Sequence, residues 1–99
     1  MSFTVVVPDP IRDEIASWLL PADLEELLYS RLQEDLEYGH EHTCQRIAAP
    51  SPTFVHYFEL EELFSPVRHC FTFWLTYGPQ DDCLYVHQTH YIQADPIDF

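Results

Sequence analysis

Apolar and polar residues alternate in two runs near the C-terminus, His69 to Tyr77 and Cys83 to Ile92. Alternation with a period of two is typical of β-strands, and both runs are rich in aromatic and β-branched residues. The five residues between the runs, Gly78 to Asp82, include glycine, proline and two aspartates, which favour turns. We therefore predict an antiparallel hairpin. Strict alternation places on its apolar face Phe71, Phe73, Leu75, Tyr77, Leu84 and Val86, and on its other face Cys83, Tyr85, His87 and Tyr91.

Two earlier segments have apolar residues at a helical period. A short helix is predicted from Asp9 to near Leu20, and its apolar stripe consists of Ile11, Ile15, Trp18 and Leu19. A longer helix is predicted from Pro21 to Gly39, and its apolar stripe consists of Leu24, Leu27, Leu28, Leu32 and Leu36.

Short runs of β-branched and aromatic residues predict two further strands. One extends from Phe3 to Val7, and the other, from Thr53 to Leu60, follows a polar connector between His40 and Pro52. The order is then strand, helix, helix and three strands, in one domain that spans residues 1–99. This order predicts an α+β fold in which two helices pack on one face of a small, mainly antiparallel sheet.

The charge of the chain is strongly acidic. Seventeen aspartates and glutamates oppose four arginines, and the formal net charge is −13. Such a charge repels phosphate backbones, which disfavours direct DNA binding, and it attracts basic proteins. An acidic surface that only keeps the protein soluble is the alternative. The carboxylates considered for a partner are Glu26, Glu34, Asp35 and Glu37 on the second helix, together with Glu61, Glu62, Asp81 and Asp82.

The chain has neither a long apolar run nor the start of a secretory signal. No run approaches the roughly 20 apolar residues that a membrane helix requires, and MSFTVVVPDP lacks a basic region. We expect a soluble cytoplasmic protein with no membrane partner. Cys44, Cys70 and Cys83 are too few for a secreted disulfide framework, so we expect no structural disulfide and treat Cys70 and Cys83 as small buried hydrophobic residues.

Metal binding is considered for the H-x-H-x-C run formed by His40, His42 and Cys44. Structural zinc sites usually separate paired ligands by about two to four residues, and this run does not. Further ligands would have to come from His69, Cys70 and Cys83. We predict no metal and no cofactor.

Two other histidines, His56 and His87, lie on predicted strands. If they met across the sheet, they would form an acid–base pair that titrates near neutral pH. The alternative is that each is a half-buried strand residue with its own hydrogen-bond partner.

The order of elements, at this length, resembles the RelE/ParE superfamily of toxin–antitoxin toxins. The resemblance extends from Phe3 to about Ile92, and its most specific part is the end of the chain, where a strand, an acidic turn and a strand closing in VHQTHY follow one another. It implies a RelE/ParE-like β-α-α-β-β-β domain. For ribonuclease members it also implies cleavage of mRNA in the ribosomal A site by groups on the last three strands, whereas ParE-type members act on gyrase.

Carried over to this chain, the resemblance implies four catalytic residues. Arg68 corresponds to the arginine that stabilises phosphate charge, and His90 and Tyr91 correspond to a His–Tyr pair of acid and orienting group. Glu59 corresponds to the carboxylate base that some members have on this strand, and Glu61 is a poorer match to the same position. Attack by a 2′-hydroxyl requires such a base, an acid for the leaving oxygen and a cation. The partners implied are an antitoxin and, for an active enzyme, the ribosome and its mRNA.

A non-enzymatic function on the same scaffold is the alternative. Ribonucleases of the family carry several lysines and arginines along these strands and on the second helix, whereas this chain has a single arginine near the proposed site. Loss of about six phosphate contacts weakens RNA binding on the order of 10³-fold or more. Strict alternation also places His90 and Tyr91 on opposite faces unless a bulge or strand end intervenes. The chain would then be an acidic interaction protein, a nucleic-acid mimic that inhibits a basic nucleic-acid-binding protein, as some phage inhibitors of CRISPR effectors do.

Overall fold

The computed structural model of the chain describes residues 3–37, 45–47, 53–62, 67–78 and 80–94. Its elements, in chain order, are β1 (Thr4–Val6), α1 (Asp9–Ser17), α2 (Ala22–Leu36), β2 (Gln45–Ile47), β3 (Thr53–Glu61), β4 (Arg68–Gly78) and β5 (Cys83–Ala94). The predicted α+β class is confirmed, and each predicted helix and strand is present. The prediction of a plain connector before β3 is wrong, because this segment contains the three-residue strand β2.

The strands form one sheet in the order β1-β5-β4-β3-β2. β1 pairs parallel with β5, and the other neighbouring strands pair antiparallel. The first described strand thus lies beside the last described strand, so segments far apart in the sequence are paired. The short strand β2 extends the opposite edge of the sheet, beyond β3.

The β4–β5 hairpin contains a β-bulge. Trp74 pairs with Gln88, and the next residue of β4, Leu75, pairs with Val86. His87 is therefore the extra residue of β5 and has no opposite residue on β4. An extra residue of this kind reverses the side-chain alternation of the strand beyond it.

The bulge changes the face to which the end of β5 points. Val86 is fully buried before the bulge, and Thr89, three residues later, is 6% exposed. Tyr91 follows in the same phase, lies opposite Phe71 in the register and stacks on its ring at a centroid distance of 5.3 Å. Tyr91 therefore faces the helices, and its predicted place on the other face of the hairpin is wrong.

The apolar core lies between the sheet and the two helices. The helices contribute Ile11 and Ile15 of α1 and Leu24, Leu28, Leu32 and Leu36 of α2, and the strands contribute Phe58, Leu60, Phe71, Phe73, Leu75, Leu84 and Val86. We call the side of the sheet that meets this core the helix-facing side. The side turned away from both helices is called the open face, and it carries Tyr57, Glu59, Arg68, Cys70, Thr72, Trp74, His90 and Ile92.

Two leucines that the helical period predicts to be buried are exposed. Leu19 is 86% exposed, because α1 ends at Ser17 and Leu19 adopts a positive φ of 55° in the connection to α2. Leu27 is 48% exposed. The buried leucines of α2 follow one another at intervals of four residues from Leu24 onward, which leaves Leu27 at the margin of the stripe.

Gln33 of α2 pairs with the outer edge of β1. Its Nε2 donates to the Phe3 carbonyl at 2.9 Å, and its Oε1 accepts from the Val5 amide at 2.9 Å. These two bonds occupy backbone groups that an edge strand otherwise presents to water or to another chain. The helix thus holds β1 by polar contacts in addition to the apolar core.

Candidate functional site

Two of the four predicted catalytic residues meet on the open face. The register places Glu59 opposite Cys70 and Glu61 opposite Arg68, so Arg68 is the diagonal neighbour of Glu59. Nη1 of Arg68 lies 3.7 Å from Oε1 of Glu59, and its Nε lies 3.7 Å from Oε1 of Glu61. Half-exposed pairs of this kind contribute little to stability. They do place the arginine between two carboxylates, which compensate its charge.

Glu59 also accepts hydrogen bonds from its own face of the sheet. The Tyr57 hydroxyl donates to Oε1 of Glu59 at 3.0 Å, and the Cys70 thiol lies 3.6 Å from the same oxygen. The pKa of Tyr57 is raised, chiefly by its hydrogen bond with Cys70, then by burial and by the hydrogen bond to Glu59. At neutral pH the phenol is therefore a proton donor, and Glu59 is the acceptor in this cluster.

The other two predicted catalytic residues do not form a pair. His90 is exposed on the open face, opposite Thr72, whereas Tyr91 faces the helices. The bulge precedes both residues, so their alternation is undisturbed, and the prediction that they share one site is wrong. His90 is separated from Glu59 by two strand spacings and two residues along the strand, roughly 12 Å between Cα atoms.

Tyr91 belongs instead to a partly buried network with His69 and Glu62. Nδ1 of His69 lies 2.6 Å from the Tyr91 hydroxyl, and Nε2 lies 2.9 Å from Oε1 of Glu62. An ionised carboxylate only accepts, so Nε2 carries a proton, and in the neutral ring Nδ1 accepts from the phenol. His69 is only 3% exposed. Both of its ring nitrogens are thus satisfied without water.

Stacked rings enclose this network. Tyr91 stacks on Trp18, the residue after α1, at a centroid distance of 4.9 Å and lies nearly parallel to the His69 ring at 5.8 Å. The stack positions the phenol and restricts the rotation of the imidazole. The network therefore joins the end of α1, β4, β5 and the residue that follows β3.

The proposed acid–base pair of His56 and His87 is not formed. His56, 5% exposed on β3, has its Nε2 2.9 Å from Oδ2 of Asp35 on α2. Arg31 also donates to Asp35, with Nε 3.1 and 3.0 Å from its two oxygens. His87 is exposed at the bulge of β5, which is not adjacent to β3. The alternative prediction, a buried strand histidine with its own partner, is confirmed for His56.

The predicted acidic surface divides into free and engaged carboxylates. Glu26 and Glu34 are exposed, Glu61 is exposed but lies 3.7 Å from Nε of Arg68, and Glu37 is half-buried at the end of α2. Asp35 and Glu62 are instead bonded to the two buried histidines. The prediction that Asp35 and Glu62 belong to a free acidic surface is therefore wrong, because each binds a histidine of the same chain.

The hairpin turn holds its two aspartates with tyrosine hydroxyls. Tyr77 donates to Oδ1 of Asp82 at 2.7 Å, and Tyr85 donates to Oδ2 of Asp81. The bond from Tyr85 is the main cause that lowers the pKa of Asp81, and the reciprocal effect raises the pKa of Tyr85 to about 12. Asp82 adopts a positive φ of 52°, a conformation that aspartate tolerates. The turn is therefore a fixed, anionic end of the sheet.

The cysteines and the candidate metal ligands form no common site in the described part of the chain. Cys70 and Cys83 are both free thiols. Cys70 is buried as predicted, whereas Cys83 is only partly buried. Within the described residues no group of three or more His, Cys, Asp or Glu is placed to hold a metal ion. The run formed by His40, His42 and Cys44 lies outside those residues.

Sequence reasoning missed the role of His69, which it considers only as a zinc ligand. The available signal is its position, two residues before Phe71 and therefore on the same face of β4. A histidine on a buried face requires hydrogen-bond partners. The pattern does not name those partners, because Glu62 lies beyond the end of β3 and Tyr91 depends on the bulge.

Comparison of the chain with protein-family models, with curated proteins and with solved structures finds no match. Among the described residues, neither helix has the length and apolar character needed to cross a membrane.

Proposed function

We propose that this chain is a RelE/ParE-like domain that works as an acidic interaction protein and binds a basic partner through its carboxylates. The observation that carries this proposal is the engagement of its arginines. Arg12 donates from Nε to a backbone carbonyl at 3.0 Å, Arg31 pairs with Asp35, and Arg68 lies between two carboxylates. Each of these three arginines already contacts an acceptor within the chain, which weakens its capacity to hold a phosphate backbone.

The free surface charge is correspondingly negative. Glu26 and Glu34 project from α2 into solvent, and no described basic side chain pairs with them. A net charge of −13 speeds the approach of a basic partner and disfavours an acidic one. An antitoxin with a basic surface and a basic nucleic-acid-binding protein both meet this requirement. The order of the elements, and the packing of both helices on one side of the sheet, support the RelE/ParE-like assignment.

A comparison of matched charge variants tests the proposal. Glu26→Gln/Glu34→Gln on α2 and Asp13→Asn/Glu14→Gln on α1 remove the same charge from exposed positions. Binding to a short arginine-rich peptide is measured by titration calorimetry at two salt concentrations. We expect the α2 variant to weaken binding about three- to tenfold and the α1 variant to change it less than about twofold, since contact charges outweigh remote ones.

Two outcomes would contradict this function. If the peptide does not bind the native protein at low salt, there is no basic-partner surface. If both double variants lose affinity equally, the binding reflects net charge alone and not a recognition surface.

A second candidate, a ribosome-dependent mRNA endonuclease, is favoured by one observation. Glu59, Arg68 and His90 all lie on the open face, so this face offers a carboxylate, a cation and an imidazole to an RNA strand that crosses it. Growth arrest on expression that is relieved by His90→Ala or Arg68→Ala, and retained by Glu26→Lys and Glu34→Lys, is the result this candidate requires. The opposite pattern, loss of the effect only in the two lysine variants, excludes it.

A further inference from the structure

A pocket of about 310 Å³ lies between the beginning of α2 and the end of β3. It is lined by Pro21, Asp23, Leu24, Leu27, Glu61 and Glu62. This volume is at the lower limit of the roughly 300–1,000 Å³ that ligand sites occupy, so the pocket fits a single side chain rather than a large ligand.

The described lining residues are three apolar side chains and three carboxylates. Pro21, Leu24 and Leu27 supply the apolar part, and Leu27 is 48% exposed although it is a leucine on the helix adjacent to the core. No basic side chain is among the described lining residues. Arg68 contacts one of the lining carboxylates from the open face, with its Nε 3.7 Å from Oε1 of Glu61.

One of these carboxylates is held in place from behind. Oε1 of Glu62 is bonded to Nε2 of His69, which is itself buried and bonded to Tyr91. The other oxygen of Glu62 makes no hydrogen bond to the described residues. Glu62 is thus oriented before any ligand arrives, and this lowers the entropy lost when a cation binds.

We propose that this pocket receives an arginine side chain of the basic partner. The apolar walls suit the aliphatic stem, which arginine buries readily, and the carboxylates suit a guanidinium with its five donors. Arginine is also weakly hydrated compared with lysine, so it costs less to bring into a partly enclosed site. The inference rests on the proposed basic partner and assigns one anchoring contact to it.

Pocket variants and matched controls test this assignment. Leu27→Ala and Asp23→Asn each change the pocket, whereas Leu19→Ala and Asp13→Asn make the same changes at exposed positions outside it. Leu27 and Asp23 are themselves exposed, so these variants keep the fold. In titrations with the arginine-rich peptide, we expect Leu27→Ala and Asp23→Asn each to weaken binding about fivefold and the two controls to change it less than about twofold.

The results separate failure of this inference from failure of the proposed function. If Leu27→Ala binds the peptide like the native protein while the α2 charge variant still loses affinity, the pocket is not the anchor and the basic-partner function stands. If the peptide fails to bind the native protein, both are overturned. A second peptide, in which lysine replaces every arginine, should bind the native protein more weakly than the arginine-rich peptide does. The two peptides should bind Leu27→Ala with equal affinity. Equal affinity of the two peptides for the native protein would overturn the preference for arginine.

Discussion

The hydrogen bond between Tyr91 and His69 can be removed without disturbing the packing around it. Tyr91→Phe deletes one oxygen and retains the ring that stacks on Trp18 at 4.9 Å and on Phe71 at 5.3 Å. Nδ1 of His69, in a side chain only 4% exposed, then loses its partner at 2.6 Å. Leaving a buried polar group unsatisfied costs about 1–3 kcal/mol.

The expected result is a decrease of about 1–3 kcal/mol in the free energy of unfolding, measured by urea denaturation with an unchanged slope. In a domain of this size, each kcal/mol corresponds to roughly 4–8 °C in Tm. Tyr57→Phe is the control, because it removes the same atom from a tyrosine that is 53% exposed and donates to Glu59 at the surface. This control should remain within about 0.5 kcal/mol of the native protein.

Equal loss of stability in the two variants would refute the reasoning, since it would mean that burial of His69 does not raise the cost of the missing bond. A double-mutant cycle adds an independent check. Combining Tyr91→Phe with Glu62→Gln should give a coupling energy of about 0.5–3 kcal/mol, because both side chains bind the same imidazole. Additive effects would show that the three groups do not act as one network.

Three further predictions concern the edge strand, the turn and the core. Gln33→Ala removes the hydrogen bonds to the Phe3 carbonyl and the Val5 amide, and we expect it to reduce stability by about 1–3 kcal/mol and to speed hydrogen exchange in β1; unchanged exchange would refute this. The pKa of Tyr85 is raised from 10.0 to about 12, so the stability that its bond to Asp81 contributes is complete below pH 10 and is lost as the pH rises to 12. Between pH 10 and 12, the urea midpoint of the native protein should therefore fall more than that of Tyr85→Phe. Leu28→Ala should cost about 2–5 kcal/mol in the same assay and Leu27→Ala less than about 1, because Leu28 is fully buried and Leu27 is 48% exposed.

Hydrophobic period and turn residues determined much of the fold from the sequence. The positions of both helices, of four strands and of the hairpin turn were correctly predicted, because each depends on residues close together along the chain. The strand β2 was missed for a related reason: three residues are too few to establish a period. The α+β class follows from the order of these elements.

The candidate site was predictable only in part. The resemblance assigns Glu59 and Arg68 to one site, and in the structure Nη1 of Arg68 lies 3.7 Å from Oε1 of Glu59 across β3 and β4. Tyr91 was placed on the wrong face because one residue inserted at His87 reverses every later position of β5.

The acidic composition, the scarcity of cations and the local elements were determined by the sequence alone. The tertiary structure decided which carboxylates are free. Asp35 and Glu62 look like other surface acids in the sequence, yet each is bonded to a buried histidine, Asp35 to His56 on another element and Glu62 to His69 across the connection between β3 and β4. These bonds depend on how the helix and the strands pack together, and no local pattern specifies them. The same long-range packing placed Glu62 beside Leu27 and formed the pocket at the beginning of α2.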